Sequence, residues 1–296
     1  MSAFKKATKE QAKLRLFLAG PSGSGKTWTA LAIATAMGKR VAVIDTEHHS
    51  ASKYADRFEF DSMNLDTPTI KAYEDAIKIA CNERYDVLVI DSLTHAWLAA
   101  QQMVDDTAAR MKSANSYMAW GSVTPVWNQL LRTIITTNLH VIGTCRSKVD
   151  YVIEQVNGKQ VPRKIGMAPI MRDGCEYEFD VSAEMDLDHR MIISKTRCPE
   201  LDGKVLDKPG ADVAEVLLEW LNRGEVPNPA DPPLEKSPAS EMSPEQAAFN
   251  AWVGPHIKAG RLSRDVVANS LKLNGNDYVN TRVALEKLDA MQPAAA

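Results

Sequence analysis

The octapeptide GPSGSGKT, Gly20 to Thr27, constrains this chain more than any other stretch. It stands between the apolar run LRLFLA (Leu14 to Ala19) and the helix-forming segment WTALAIATAM. A strand, a glycine-rich loop with G-x-x-x-x-G-K-[ST] spacing and a helix, in that order, let a main chain wrap a polyphosphate. The glycines bring N–H groups close to the anion, and the helix N-terminus adds its positive end. Gly20, Pro21, Ser22, Gly23, Ser24, Gly25, Lys26 and Thr27 are therefore the candidate phosphate-binding residues. Lys26 is the group to reach the β- and γ-phosphates, and the Thr27 hydroxyl is a candidate Mg²⁺ ligand. The competing reading, a turn that binds nothing, ignores the flanks, which supply the setting the motif requires. Such a loop needs a buried parallel strand behind it, so the expected fold class is α/β, a mainly parallel central sheet flanked by helices.

The rest of the composition sets limits. At 296 residues the chain is long enough for a full α/β core and something more. Its net charge of −3 excludes a uniformly basic nucleic-acid binder but not a local basic surface. Of the four cysteines, the closest pair, Cys175 and Cys198, is 23 positions apart, so neither a C-x-x-C nor a zinc spacing exists. Reduced, mostly buried thiols are expected, and the six histidines show no metal spacing either. The N-terminus MSAFKKATKEQAK lacks an apolar signal region, and no apolar stretch reaches membrane-spanning length. A cytoplasmic protein with no membrane partner is the expectation.

Along the chain, a helix from Thr27 to Met37 ends at Gly38, and RVAVIDTE (Arg40 to Glu47) reads as a buried strand with Asp45 and Glu47 at its tip. IKAYEDAIKIACNE has helical period and leads into YDVLVIDS, a strand ending in Asp91. An acid at a strand tip downstream of a phosphate loop is a candidate Mg²⁺ ligand, so Thr27 and Asp91 form the expected metal pair. Leu93 to Gly121 shows little periodicity and reads as a long insertion. A helix is expected next, capped by Thr124 with Pro125 in its first turn, and then a strand, Leu139 to Cys145.

From Arg146 to Arg172 six cations, Arg146, Lys148, Lys159, Arg163, Lys164 and Arg172, face only two acids, Asp150 and Glu154. The segment reads as a hairpin turning at Asn157-Gly158, either a solvated flap or a loop touching a phosphodiester backbone. Two further strands surround a turn at Asp186 to His189, and a helix capped by Asp212 and ended by Gly224 closes the core. The expected organisation is a core over 1–224, a proline-rich linker over 225–244, and a small helical module over 245–296. In the module, Ser243 and Gln246 have capping-box spacing, a second helix starts after Ser263, Asn274-Gly275 turns, and a third helix covers Tyr278 to Met291. Trp28 is expected to pack in the core rather than serve as an adenine shelf, and His48 and His49 to be polar loop residues rather than ligands.

Taken together, Gly20–Thr27, Glu47, Asp91 and the pair Lys195/Arg197 resemble the RecA-like ATPases. IDTEHHSASKYADRF is similar to the RecA segment that carries the catalytic glutamate, and the chain looks most like the phage-encoded members associated with single-strand annealing and recombination. The resemblance covers residues 12 to 224. It implies ATP and Mg²⁺ as cofactors, and places the strand Leu139–Cys145 between the phosphate-loop strand and the Asp91 strand. It also implies Glu47 as the group that orients and deprotonates the attacking water. ISKTRCPELDG is similar to the K-x-R strand of RecA-like hexameric helicases, which implies that Lys195 and Arg197 reach the nucleotide of a neighbouring subunit in a ring or filament. Strand alternation would place the two cations on one face.

By position the resemblance implies DNA loops at Ala100–Ser122 and Arg146–Arg172, though their sequences do not match closely. RecA's γ-phosphate-sensing glutamine is also missing: the corresponding tip is Cys145-Arg146-Ser147, with Lys148 the nearest comparable donor. The function implied is an oligomeric ATPase acting on single-stranded DNA, whose C-terminal module meets a single-strand-binding or recombination partner. The alternatives are a nucleotide-gated annealing or loader factor with little turnover and, fitting the Asp91 and K-x-R strands poorly, a small-molecule kinase.

Overall fold

The computed structural model describes residues 9, 11–111, 116–156, 159–225, 244–258, 262, 266, 267, 270 and 277–290, with the side chains of 150–165, 244, 246, 247, 250, 254, 258 and 287–290 left undescribed. The chain divides into two compact units, Met1–Pro227 and Asn228–Ala296.

The first unit is a nine-stranded sheet with helices on both faces. In chain order its strands are β1 (Arg15–Gly20), β2 (Val41–Asp45), β3 (Asp61–Asn64), β4 (Val87–Asp91), β5 (His140–Val156), β6 (Lys159–Pro169), β7 (Val181–Met185), β8 (Arg190–Thr196) and β9 (Val205–Asp207). They lie in the order β3-β2-β4-β5-β1-β7-β8-β9, with β6 paired to β5 outside that path. From β3 to β7 the pairing is parallel; β8 and β9 add antiparallel. Thus β5 separates the loop-bearing β1 from the Asp91-bearing β4, the placement implied by the resemblance.

Every residue of β1, β2 and β4 is buried, as strands covered on both faces must be. Alternation sorts them. Leu16 and Leu18 of β1 and Val87 and Val89 of β4 pack beneath α1 (Lys26–Met37) and α5 (Ala211–Asn222). Phe17, Ala19, Leu88 and Ile90 pack beneath α2 (Ile70–Asn82), α3 (Leu93–Arg110) and α4 (Ser116–Thr136). Arg15 secures the end of α4. Its buried guanidinium donates to the carbonyls of Ile135, Thr137 and Leu139, and burial lowers its pKa to about 10 against the pull of Asp180.

Three expectations are corrected. The described residues between Leu93 and Gly121 form no irregular insertion but α3 and the start of α4, with 112–115 outside the described residues. The buried stripe of α3 is Leu93, Ala96, Ala100, Val104 and Ala108, so small that its helical period carries little hydrophobic contrast. Pro125 lies inside α4, not in its first turn, and the residue four positions back, where a proline ring meets a carbonyl, is Gly121. Thr124 is accordingly no cap. Asp212 sits within the first turn of α5, whose cap position is Gly210; its carboxylate accepts from Gly210 N at 2.8 Å.

The hairpin is present as β5 and β6, paired from Ser147↔Pro169 to Val156↔Lys159 with one irregularity at Asp150/Tyr151; Asn157 and Gly158 lie outside the described residues. The second unit contains α6 (Pro244–Lys258) and α7 (Tyr278–Ala290) around Phe249, Val253, Leu262, Val267 and Leu285. The proline-rich stretch, Ser243, most of the expected second helix and the Asn274-Gly275 turn lie outside the described residues. All four cysteines are free thiols, and three are buried.

Candidate nucleotide site

The parallel strands end on a common rim, and a cavity of about 980 Å³ opens there. At its floor β1 turns into the loop and then α1. Gly20 has no room for a side chain: a Cβ there would stand 2.6 Å from the Met185 carbonyl oxygen. Gly25 takes φ +85°, the left-handed region, and caps α1 without any side-chain hydrogen bond. No acidic residue occupies the first turn of α1, so its N–H groups are left to an anion from outside. In this structure Lys26 Nζ donates to the Pro21 carbonyl at 2.8 Å, and Ser24 Oγ donates to the same oxygen at 2.9 Å. Burial lowers the Lys26 pKa, and the charges of Asp91 and Glu47 oppose that.

Beside the loop, Thr27 Oγ1 donates to Asp91 Oδ2 at 2.7 Å, and Thr144 of β5 donates to Asp91 Oδ1. Burial pushes the Asp91 carboxyl up, and the two hydroxyls hold it back. A hydroxyl and a carboxylate at the loop's edge are the hard oxygen donors that Mg²⁺ takes when most of its shell is water and phosphate. Among the described residues, no group of three or more His, Cys, Asp or Glu side chains could hold a metal unaided. The residues present fit a metal brought in with a nucleotide.

Glu47 is not part of β2, which ends at Asp45. It hangs in the following loop, and Asp45 shapes that loop: its Oδ1 accepts from Glu47 N at 2.7 Å and its Oδ2 from Ala51 N at 3.0 Å. Between them His48 and His49 adopt φ of 54° and 62°. Ser92 Oγ donates to Glu47 Oε1 at 2.9 Å, and Arg146 donates from Nε to Oε1 at 2.8 Å and from Nη2 to Oε2. Burial raises the Glu47 pKa, but the hydrogen bonds from Arg146 and Ser92 outweigh it and hold the carboxyl below its ordinary value. Behind it, Thr46 Oγ1 lies 2.8 Å from His95 Nδ1 and accepts from Ser92 N at 2.9 Å. Burial lowers the His95 pKa.

The geometry thus gathers Gly20–Thr27, Glu47 and Asp91, and adds Arg146, which the sequence placed on a DNA-facing surface. Lys195 and Arg197 lie elsewhere. Lys195 lines a separate cleft of about 470 Å³ with Phe17, Ala19 and Glu184, and its Nζ donates to the carbonyls of Tyr177 and Phe179. Arg197 follows the end of β8 and pairs with Asp180 at 2.8 Å. The register shift in the β7–β8 pairing falls at Ser194, before Lys195, and Arg197 lies beyond the end of β8. Lys148 is exposed, and Arg172 donates to Asn128 Oδ1 at 3.3 Å. Lys159, Arg163 and Lys164 stand on the hairpin opposite Val156, Val152 and Tyr151.

Trp28 is corrected: it is 44% exposed, makes edge contacts with Tyr54 and Phe58, and lines the cavity. Tyr54, His189 and Lys208 also line it and carried no signal before folding, since three segments far apart in the chain deliver them.

Comparison with known protein families matches residues 12–205 to the AAA domain. The chain belongs to the AAA domain family. As an AAA domain it is a P-loop nucleotide-binding protein of the ATPase class, and the match spans the phosphate loop, Glu47, Asp91 and the K-x-R strand. No curated protein matches the chain. Among the described residues of this AAA domain protein, no helix is long and apolar enough to cross a membrane.

Proposed function

We propose that the protein is an oligomeric, Mg²⁺- and ATP-dependent RecA-like ATPase acting on single-stranded DNA in phage recombination or replication. One observation carries the reading: Lys26, Thr27, Asp91 and Glu47, drawn from three strand ends, line a single cavity. The loop N–H groups and Lys26 hold the phosphates, and Thr27 and Asp91 hold the metal. Bound Mg²⁺ would supply charge neutralisation at the phosphates. Glu47, beyond Asp91 and steadied by Ser92, orients the attacking water and accepts its proton. Trp28 and Tyr54 give the base an apolar wall.

The order β4-β5-β1 supports the RecA-like assignment. Lys195 and Arg197 lie outside their own chain's cavity, as groups serving a neighbour's nucleotide must. On this reading they neutralise charge on the transferred phosphoryl group at a subunit boundary. The hairpin β5–β6 starts at the cavity rim, which supports the reading that nucleotide state affects the hairpin's grip on a DNA backbone. The C-terminal unit is assigned to a recombination or single-strand-binding partner.

The test is steady-state ATP hydrolysis with and without single-stranded DNA. Turnover that rises with DNA is expected; hydrolysis indifferent to DNA contradicts the DNA assignment. The Arg146–Glu47 pair favours a second reading, a nucleotide-gated binding factor with little turnover. That reading predicts DNA affinity that differs between ATP and ADP while hydrolysis stays negligible.

A further inference from the structure

His95 lies in the first turn of α3, whose cap position, Ser92, directly follows Asp91. Its imidazole faces two residues of the loop after β2: Nδ1 is 2.8 Å from Thr46 Oγ1 and 4.0 Å from Glu47 Oε1. The second distance is about 1 Å beyond hydrogen-bond reach, a gap that a turn of the glutamate side chain can close. The His95 side chain is 17% exposed, and no hydrogen bond among the described residues engages its Nε2. Burial lowers the His95 pKa; the charges of Arg146 and His48 act with it, and those of Glu47 and Asp91 act against it. The positive end of α3 also favours a neutral ring. From α2, the Tyr73 hydroxyl comes within 3.5 Å of Thr46 Oγ1, and burial pushes its pKa up, so it stays protonated.

The partners of Glu47 differ in what they can do. Ser92 and Arg146 donate to its carboxylate, and a guanidinium has no lone pair with which to take a proton. Neutral His95 has one. An imidazole is ordinarily a stronger base than a carboxylate by about two pKa units, so a proton on Glu47 has a downhill acceptor close by. Thr46 can leave that nitrogen free. Its hydroxyl oxygen accepts from Ser92 N at 2.9 Å, and its own hydrogen has the Asp91 and Ser92 carbonyls, at 3.2 and 3.4 Å, as alternatives to His95.

We propose that His95 takes from Glu47 the proton that Glu47 has taken from the attacking water, and releases it to solvent. This rests on the ATPase reading above. The water oxygen bonds to the terminal phosphorus as the bond from that phosphorus to the bridging oxygen breaks and the diphosphate leaves. One hydrogen of the water departs with the phosphate and the other goes to Glu47. Passing that proton to Nδ1 restores the carboxylate and makes an imidazolium. The imidazolium gives a proton to water, and tautomer exchange through solvent returns the lone pair to Nδ1.

Kinetics and a titration, both on the full chain, test this. His95→Asn keeps a polar group for Thr46 but cannot take up a proton. It is expected to lower kcat about tenfold, with the KM for Mg-ATP within a few-fold. In the unaltered protein kcat should fall as pH drops through the His95 pKa, because a charged ring has no lone pair to offer; in His95→Asn that acid limb should be lost. His95→Ala should recover part of its turnover with added imidazole, in proportion to the neutral fraction of the imidazole, which the mere loss of a structural contact would not produce. A kcat for His95→Asn within twofold of the unaltered protein, an unchanged acid limb, or no rescue of His95→Ala overturns the proposal. The His95 pKa from ring-nitrogen NMR, assigned by the signal missing in His95→Asn, gives a readout independent of turnover. Glu47→Gln should lower that pKa by about half a unit or more, since the facing carboxylate favours the charged ring; no change overturns the proposal. A protein that binds ATP without cleaving it would sink the ATPase reading, and the titration would still decide whether Glu47 and His95 are coupled.

Discussion

Replacing Asp45 by asparagine should disable turnover while sparing nucleotide binding. Asp45 is 1% exposed, and its bonds to Glu47 N and Ala51 N touch no phosphate-loop residue. Those two bonds fold 46–51 back against the strand end and hold His48 and His49 at positive φ, a conformation that costs about 1 kcal/mol or more per residue. Each bond to a charged acceptor contributes roughly 1.5–3 kcal/mol. Asparagine keeps one acceptor oxygen and turns an NH₂ toward the other N–H, so about 2–3 kcal/mol of loop order is lost. If that loss falls on the placement of Glu47, kcat drops roughly 30- to 150-fold at 1.4 kcal/mol per decade. The loop can fray without opening the core, so the melting temperature should move little, and the Kd for Mg-ATP by titration calorimetry should stay within about threefold. An Asp45→Asn protein with unchanged melting and kcat within threefold of the original would refute the reasoning.

Two more outcomes follow from the same geometry. Mixing Glu47→Gln with a Lys195→Ala/Arg197→Ala double variant should restore part of the turnover that each lacks alone, because a mixed boundary can pair an intact base with intact cations; no recovery at any ratio contradicts action across subunits. His140 is the buried first residue of β5, its Nδ1 accepting from Leu14 N at 3.1 Å, and burial depresses its pKa from 6.5 to about 4. A base with a depressed folded pKa stays neutral in the fold while the unfolded chain protonates, so stability is whole above pH 6.5 and falls as pH drops toward 4. The loss amounts to about 3 kcal/mol, and denaturant melts of His140→Asn across that range should show a flatter profile.

The sequence carried the parts of this protein that depend on local spacing. The phosphate loop, the β-branched strands ending in Asp45 and Asp91, and the turn at Asp186–His189 were legible because neighbours in the chain are neighbours in space. Helix α3 was not, because its inward stripe is mostly alanine and offers little contrast to read. The meeting of Arg146 with Glu47 was not legible, for a different reason. Charge counting grouped Arg146 with the cations that follow it, whereas its backbone register with Gly20 brings it to a glutamate 99 positions away. Ser92, Thr144 and His95 escaped notice as ordinary polar residues; only the meeting of β2, β4 and β5 makes them partners of Glu47, Asp91 and Thr46. Trp28 was expected in the core, yet a first-turn position beside the loop leaves it lining the cavity.

Glu47→Gln tests the central claim most directly, since glutamine keeps the shape of the side chain and loses its ability to take a proton. Mg-ATP affinity by calorimetry and kcat should be measured on the same sample. Affinity within a few-fold of the original, with kcat lowered by about 10²–10⁴, is the expected result. Full turnover in Glu47→Gln would contradict the account.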